Sequence, residues 1–252
     1  MEMHMENSST DRVVLKISGS DRQSFLQGLV TNDVSGLKDG LVYAALLSPQ
    51  GKYLADFFLV PTEDAILLDV TADQAPSLIQ RLSMYKLRAD VAIETTTLRA
   101  SRGMTDAPDG AFADPRDPAL GWRSYGDQDQ SQEVDWDALR VEHLIPQSGA
   151  ELHNDSYILE CGFERLNGVD FKKGCYVGQE ITARMKHKTE LRKGLAQVSI
   201  YGDAKAGDEI TANGKPAGTL HTVANGKGIA HLRFDRAKGE MIAGEAPVTL
   251  TS

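Results

Sequence analysis

The chain has 252 residues, 41% hydrophobic and 25% charged, with a formal net charge of −9. That length holds one large domain or two to three small ones, the composition is that of a soluble globular protein, and no apolar run approaches the roughly 18 residues needed to span a bilayer. The acidic balance argues against a general binder of nucleic acid or membrane, and two cysteines, Cys161 and Cys175, are too few for a disulfide framework or a four-thiolate metal site, so a reducing, cytoplasmic location is expected.

Residues 1–11 are polar, with neither the basic nor the apolar region of a secretory signal, and read as a disordered tail. Val13 to Ile17 reads as a strand. Ser20 or Asp21 then caps a helix with Phe25, Leu26, Leu29 and Val30 as its apolar positions, and Asp21 with Arg22 reads as an ion pair at its start. Tyr43 to Leu47 and Tyr53 to Val60 form a hairpin around Ser48-Pro49-Gln50-Gly51, and Ala65 to Val70 continues the sheet. The spacing of Leu78, Ile79 and Leu82 predicts a helix over 74–84. Val91 to Glu94 and Leu98 to Arg102 are further strands, 103–121 is loop, and 126–132 is a flexible hairpin tip. Val134 to His143 forms a helix ended before Pro146. Two strand–helix–strand passages imply an α+β region of two similar lobes. From Leu195 short β-prone pieces alternate with Gly-Asp, Asn-Gly and Gly-Lys turns, which predicts a small β-barrel or sandwich with a boundary near Lys193.

The stretch Lys172-Lys173-Gly174-Cys175-Tyr176-Val177-Gly178-Gln179-Glu180 places a thiol between glycines, behind two lysines. Between Lys172 and Lys193 seven Lys/Arg face two Glu, so this segment is +5 and the remainder −14. A positive island in an acidic chain suggests a localised anionic ligand, against the plainer reading of a solvated helix face. Lys172 and Lys173 are cations that would favour a thiolate, and a helix beginning near Gln179 would add partial positive charge. Glu180 opposes this. A small buried cysteine in a tight turn is the alternative, which Gly, Lys and Gln neighbours argue against.

KGCYVGQE resembles the signature of the YgfZ-type folate-binding proteins that support iron–sulfur enzymes, relatives of the aminomethyltransferase (T-protein) of the glycine cleavage system. The likeness extends over Gly19-Ser20-Asp21-Arg22-Gln23-Ser24-Phe25-Leu26-Gln27-Gly28, Thr31-Asn32-Asp33, Leu47-Ser48-Pro49-Gln50-Gly51-Lys52, Tyr85-Lys86-Leu87-Arg88 and Glu160-Cys161-Gly162-Phe163-Glu164-Arg165-Leu166-Asn167-Gly168. It implies an α+β fold of two interwoven ferredoxin-like lobes over 12–193 plus a C-terminal β-barrel over 194–252, arranged as a three-lobed ring around a central channel. It also implies tetrahydrofolate or a related reduced folate as ligand, and iron–sulfur client enzymes or assembly proteins as partners.

Carried over residue by residue, the resemblance makes Cys175, Lys173 and Asp56 the reactive candidates. Tyr43, Asp56, Glu160, Gln179, Glu180 and Arg184 become the folate-binding candidates, with Glu180 holding the pterin edge and Arg184 the anionic tail. The bland readings are a core-packing Tyr43, a Glu160 that pairs with Arg165 or caps a helix, and an Asp56 that means little if it faces outward but needs a partner if it faces inward. The expected role is a folate-dependent accessory factor for iron–sulfur cluster assembly or repair. The alternative is a one-carbon transferase with Asp56 as acid/base group. A nucleic-acid module on the 172–193 strip lacks the aromatics such a surface needs, and no phosphate loop or nucleophile elbow is present.

Overall fold

Apolar alternation along the first half of the chain builds an antiparallel sheet. In the computed structural model, which describes residues 12–187 and 190–251, β1 (Arg12–Ser18), β2 (Val42–Leu47), β3 (Tyr53–Pro61), β4 (Ile66–Thr71) and β5 (Ala92–Thr95) lie in the order β2-β3-β4-β1-β5. The expected tail at 1–11 lies outside the described residues. Register sets Leu15 opposite Leu68 and Ile17 opposite Ile66, and Phe57 opposite Val70. These side chains pack with those of α1 (Arg22–Gln27) and α2 (Ala75–Lys86) in one core, where Leu26, Leu78 and Leu82 are fully buried. Pro76 sits in the first turn of α2, where its missing N–H costs nothing.

The start of α1 departs from expectation. Asp21 is the N-cap residue but makes no side-chain cap. Its carboxylate instead accepts from the Asp90 backbone N–H at 2.8 Å, and Arg22 donates to the Gly19 carbonyl at 2.9 Å rather than pairing with Asp21. A tertiary bond to Asp90 and a local one to Gly19 outcompete the adjacent ion pair.

Because strand side chains alternate, the residues between the core positions point the other way: Tyr43, Asp56, Phe58 and Asp69. They too are buried. A second sheet, β6 (Arg99–Gly103), β7 (Phe112–Ala113) and β8 (Trp122–Gly126) in the order β6-β8-β7, adds Arg123 and Tyr125 to the partners of this face. Asp69 accepts from Arg12 Nε at 2.5 Å, Arg123 Nη1 at 3.0 Å and Tyr125 Oη at 2.9 Å. Arg123 also reaches Asp114 at 2.9 Å, which takes two further bonds from the Arg116 guanidinium and one from the Arg116 backbone N–H. Burial alone would raise the Asp114 carboxyl, yet Arg116 and Arg123 outweigh it and hold it well below the usual carboxylate range. The Arg123 guanidinium lies 3.9 Å over the Phe58 ring.

The 103–121 stretch is loop interrupted by β7 and by a 3-10 turn at Pro118–Leu120. The 126–132 stretch is not a hairpin tip. It returns along β6, with Gln132 N–H donating to the Arg102 carbonyl at 2.9 Å and Gln130 N–H to Ser101 Oγ at 2.8 Å.

The chain divides into two compact units: one comprises residues up to Pro49, Leu54–Val134 and Asn167–Gln179, the other Gln50–Tyr53, Asp135–Leu166 and Glu180 onward. In the second, β9 (Lys193–Ile200), β10 (Glu209–Ala212), β11 (Lys215–Ala224), β12 (Lys227–Arg233), β13 (Met241–Ala243) and β14 (Ala246–Leu250) close a six-stranded barrel in the order β10-β11-β12-β9-β14-β13. Closure removes unpaired strand edges, and Val198, Ile210, Leu220, Leu232 and Val248 fill the inside. Helix α3 (Trp136–His143), capped by the Asp135 carboxylate on Ala138 N–H, joins the barrel through Arg140. Its guanidinium donates to Thr222 Oγ1 at 2.9 Å and to the buried Glu151 carboxylate at 3.0 Å.

Replacing Asp69 by Ala removes the buried carboxylate shared by Arg12, Arg123 and Tyr125, leaving Arg123 with Asp114 alone and Arg12 with only a backbone carbonyl. A loss of about 3–5 kcal/mol is expected, because unpairing a buried charge costs far more than an exposed pair gives, and urea denaturation of Asp69→Ala against wild type measures it.

Candidate functional site

The cysteine segment is fastened residue by residue to the turn after α1. Asn32 Nδ2 donates to the Asn167 carbonyl at 2.6 Å, and Thr31 Oγ1 to the Gly168 carbonyl at 2.7 Å. Asp170 N–H returns a bond to the Thr31 carbonyl at 3.0 Å. The strongest tie is Lys173. Its buried ammonium donates to three backbone carbonyls, of Gln27 at 2.8 Å, Val30 at 2.6 Å and Asn32 at 2.8 Å. An ammonium has three N–H bonds, so this cradle uses them all. Burial pushes Lys173 down to about 8, against the pull of Asp33 and Asp170.

Tyr176 is buried as well, its ring 5.3 Å from Lys173 Nζ. Val177 packs against the core of the first sheet. Between these anchors Gly174 and Cys175 face solvent. The next turn closes with Gln179 N–H donating to the Tyr176 carbonyl at 3.2 Å. Gly178, third in that turn, has φ +84°, a backbone region that disfavours any side chain. Helix α4 (Gln179–His187) follows, with Glu180 in its first turn and Arg184, Lys186 and His187 in its last, the arrangement the helix dipole favours.

The other cysteine has the opposite fate. Cys161 is buried, and burial pushes its thiol up to about 12.

Tyr43 and Asp56 meet on the second face of the first sheet, the Tyr43 hydroxyl donating to Asp56 Oδ2 at 3.0 Å. Asp56 faces inward, 8% exposed, and has the partner such a position requires. The Tyr43 ring stacks obliquely on Phe58 at 5.2 Å, and the Arg116 guanidinium lies 5.5 Å from it. Asn32 links this pair to the cysteine segment, since its Nδ2 donates to the Tyr43 carbonyl at 2.9 Å while its own carbonyl holds Lys173.

The remaining candidates belong to the second unit, apart from Gln179. Glu160 is not paired with Arg165, whose guanidinium donates to the Leu144 carbonyl. It lies 3.4 Å from Lys193 Nζ and 3.9 Å from His231 Nε2. Its carbonyl accepts from Leu195 N–H at 2.8 Å, an approach so close that a Cβ on Gly194 would stand 2.8 Å from that oxygen. Glu160 also borders a cleft of about 550 Å³ with Met185, Arg192, Lys193 and Arg233. Glu180 and Arg184 pair with each other at 2.8 Å, their side chains 81% and 63% exposed.

The cationic island is therefore partly spent. Lys173 is held by carbonyls, Arg184 by Glu180, Lys186 by Glu164 and Lys193 by Glu160, while Lys188 lies outside the described residues. Sequence reasoning missed Asn32 and Arg116. The Thr31-Asn32-Asp33 run was a visible signal for the first, and nothing in the loop around Arg116 marked the second. Among the described residues no group of three His, Cys, Asp or Glu side chains could hold a metal ion.

Replacing Lys173 by Met leaves three carbonyls without their donor. The expected result is a loss of about 2 kcal/mol or more, with faster hydrogen exchange at amides 167–178 than elsewhere in the sheet. The cost of burying the charge also carries a pH signature. Lys173 falls from an ordinary 10.5 to about 8, so within that window the unfolded chain binds more protons. This group's contribution to stability therefore rises with pH across the window and is flat below it. Denaturation midpoints of wild type against Lys173→Met over that range check the sign.

Comparison with known proteins adds the context. Residues 192–252 match the family described as CAF17, C-terminal beta-barrel domain. The iron-sulfur cluster assembly factor IBA57, mitochondrial, of Mus musculus is 30% identical over 278 residues, covering 91% of this chain and 78% of that protein. The IBA57 homologues of Mycosarcoma maydis and Neurospora crassa are 34% and 30% identical, covering 75% and 81% of this chain but only 56% and 55% of their own lengths. The chain thus spans just over half the length of these fungal relatives. Among solved structures, the glycine cleavage system aminomethyltransferase T from Bartonella henselae superimposes with a TM-score of 0.73 at 13% identity, covering 96% of this chain and 83% of that one. The fold is thus the aminomethyltransferase-like one, mixed α/β with a C-terminal closed barrel. The relatives are named as mitochondrial, which overturns the cytoplasmic location expected from the sequence. A low cysteine count reports a reducing environment and does not distinguish one reducing compartment from another.

Proposed function

The chain belongs to the IBA57 family of iron–sulfur cluster assembly factors, and from that premise we propose that it supports the assembly or repair of clusters on client enzymes or assembly proteins, with the Cys175 thiol as the group that meets them. The observation that carries this reading is the contrast between the two cysteines. Cys175 is exposed on a segment anchored on both sides, and Cys161 is buried with its thiol pushed up to about 12. A thiol held outward at a fixed place can be offered to a partner without the cost of ordering it at the encounter. One exposed thiol cannot complete a four-thiolate cluster site, so the cluster is cargo shared with the partner. On this reading 12–193 is the folate-type region, as in the YgfZ-type proteins, and 194–252 the barrel domain, the latter supported by the family match at 192–252.

The second part of the proposal is a reduced folate. A pterin ring presents N–H donors that suit a carboxylate and flat faces that suit aromatic walls. The buried Tyr43–Asp56 pair beside Phe58 fits that chemistry. Glu180, exposed and already paired with Arg184, fits it poorly. Asp56 would hold the donor edge, Tyr43 would fix the carboxylate's orientation, and Arg116 would supply positive charge nearby. A bound folate would bring a one-carbon carrier. The same pair supports the alternative reading, a one-carbon transferase in which Asp56 holds or releases the proton.

In cells lacking the protein, Cys175→Ala is expected to restore no activity to cluster-dependent enzymes while Cys161→Ala restores it. The reverse pattern, or full rescue by both, rejects the role of Cys175. On the purified protein at about pH 8, iodoacetamide should modify Cys175 and leave Cys161 untouched until the chain unfolds. Calorimetric titration with tetrahydrofolate should show binding that Asp56→Asn weakens about tenfold or more, ~1.4 kcal/mol. Formation of methylene-tetrahydrofolate from an amine donor that survives Cys175→Ala and vanishes in Asp56→Asn would select the transferase instead.

A further inference from the structure

The end of α2 carries a feature that neither the cysteine segment nor the Tyr43–Asp56 pair uses. Among the described residues, seven large apolar side chains are exposed, and three of them fall together: Met84 at 70%, Tyr85 at 40% and Leu87 at 88%. Met84 points away from the buried Leu78 and Leu82, while Tyr85, i+7 from Leu78 and i+3 from Leu82, sits at the solvent border of that buried face.

Leu87 is the sharper case. Ala89 N–H donates to the Lys86 carbonyl at 2.8 Å, closing the turn Lys86-Leu87-Arg88-Ala89. Leu87, its second residue, has φ 45° and ψ −104°, close to the geometry of a type II′ turn at the position where glycine is strongly preferred. A γ-branched side chain there is strained, and the chain keeps it almost wholly in water, where it gains nothing from packing. The strain and the exposure both become intelligible if the leucine is buried in something else.

The rim indicates what that is. Arg81, Lys86 and Arg88 flank the three apolar groups along the chain, three cations against two carboxylates past the turn: Asp90, which accepts from Ser20 N–H at 3.0 Å and Ser20 Oγ at 2.9 Å, and Asp21, which accepts from the Asp90 N–H at 2.8 Å. A basic rim on a chain of net charge −9 complements an acidic surface locally. The same net charge repels an anionic bilayer at longer range, and one aromatic ring makes no base-stacking surface. We propose that the Met84–Arg88 corner is a docking knob for a partner protein, received by an apolar groove flanked by Asp and Glu side chains. This goes beyond the cluster role and is scored without it, because the readout is binding at a corner whose residues take no part in holding Cys175.

The test uses a fluorescently labelled synthetic amphipathic helix, leucine and phenylalanine on one face and glutamate along both flanks, and its counterpart with lysine in place of glutamate. Fluorescence anisotropy with the full chain should show the glutamate peptide bound about tenfold or more tighter than the lysine peptide, with affinity falling as salt rises. Leu87→Gly relieves the turn, so its thermal stability should match or exceed wild type while affinity drops about tenfold or more; Met84→Ser should weaken binding as well. Equal affinity for both peptides, or binding unchanged in Leu87→Gly, overturns the proposal. So do association with phosphatidylglycerol vesicles in place of the peptide, and wild-type self-association that Leu87→Gly abolishes without peptide binding.

Discussion

A single ammonium organises the region that matters most. Lys173 donates to the carbonyls of Gln27, Val30 and Asn32, groups left over where α1 ends and the chain turns toward β2. Helix ends leave carbonyls without intrahelical partners, and here a lysine distant in sequence supplies them. The result is a pin through two segments of the first unit. It fixes the backbone two residues before Cys175, and Tyr176 fixes it one residue after. The exposed thiol thus gets its position from its buried neighbours, a different use of lysine from lowering a thiol's pKa by proximity.

The same economy runs through the first sheet. One face is an ordinary apolar core closed by α1 and α2. The opposite face buries Asp56 and Asp69 against Arg12, Arg116, Arg123, Tyr43 and Tyr125. Burying so many charges is tolerable only because each has a partner, and no buried side-chain nitrogen or oxygen among the described residues lacks one. Such a face is rigid and polar at once. A carboxylate held there keeps its orientation, which suits Asp56 to recognising the donor edge of a flat ligand.

The legible parts of the molecule were those written in local pattern. The hairpin around Ser48 to Gly51, helix α2 and the barrel followed from alternation, helical spacing and turn residues, and the motif around Cys175 announced an exposed thiol by its lack of apolar neighbours. Partners far apart in sequence were not legible. Lys173 read as a cation beside a thiol because its carbonyls lie 141 to 146 residues away. Asp21 read as the partner of adjacent Arg22, yet the Asp90 backbone, 69 residues on, claims it. Glu160 read as a partner for nearby Arg165, while Lys193 and His231 stand closer in space. Local pattern specifies which element forms, and long-range hydrogen bonds decide what its polar side chains do.

The most direct test of the lysine pin is a pH titration of the lysine side chains by carbon and nitrogen NMR on isotopically labelled protein. The Lys173 signal should titrate well below its neighbours, near pH 8 rather than 10.5, with slowly exchanging ammonium protons and a matching shift at the Cys175 amide. A Lys173 whose ammonium protons exchange as fast as those of the surface lysines, or whose titration leaves the Cys175 amide unmoved, would contradict it.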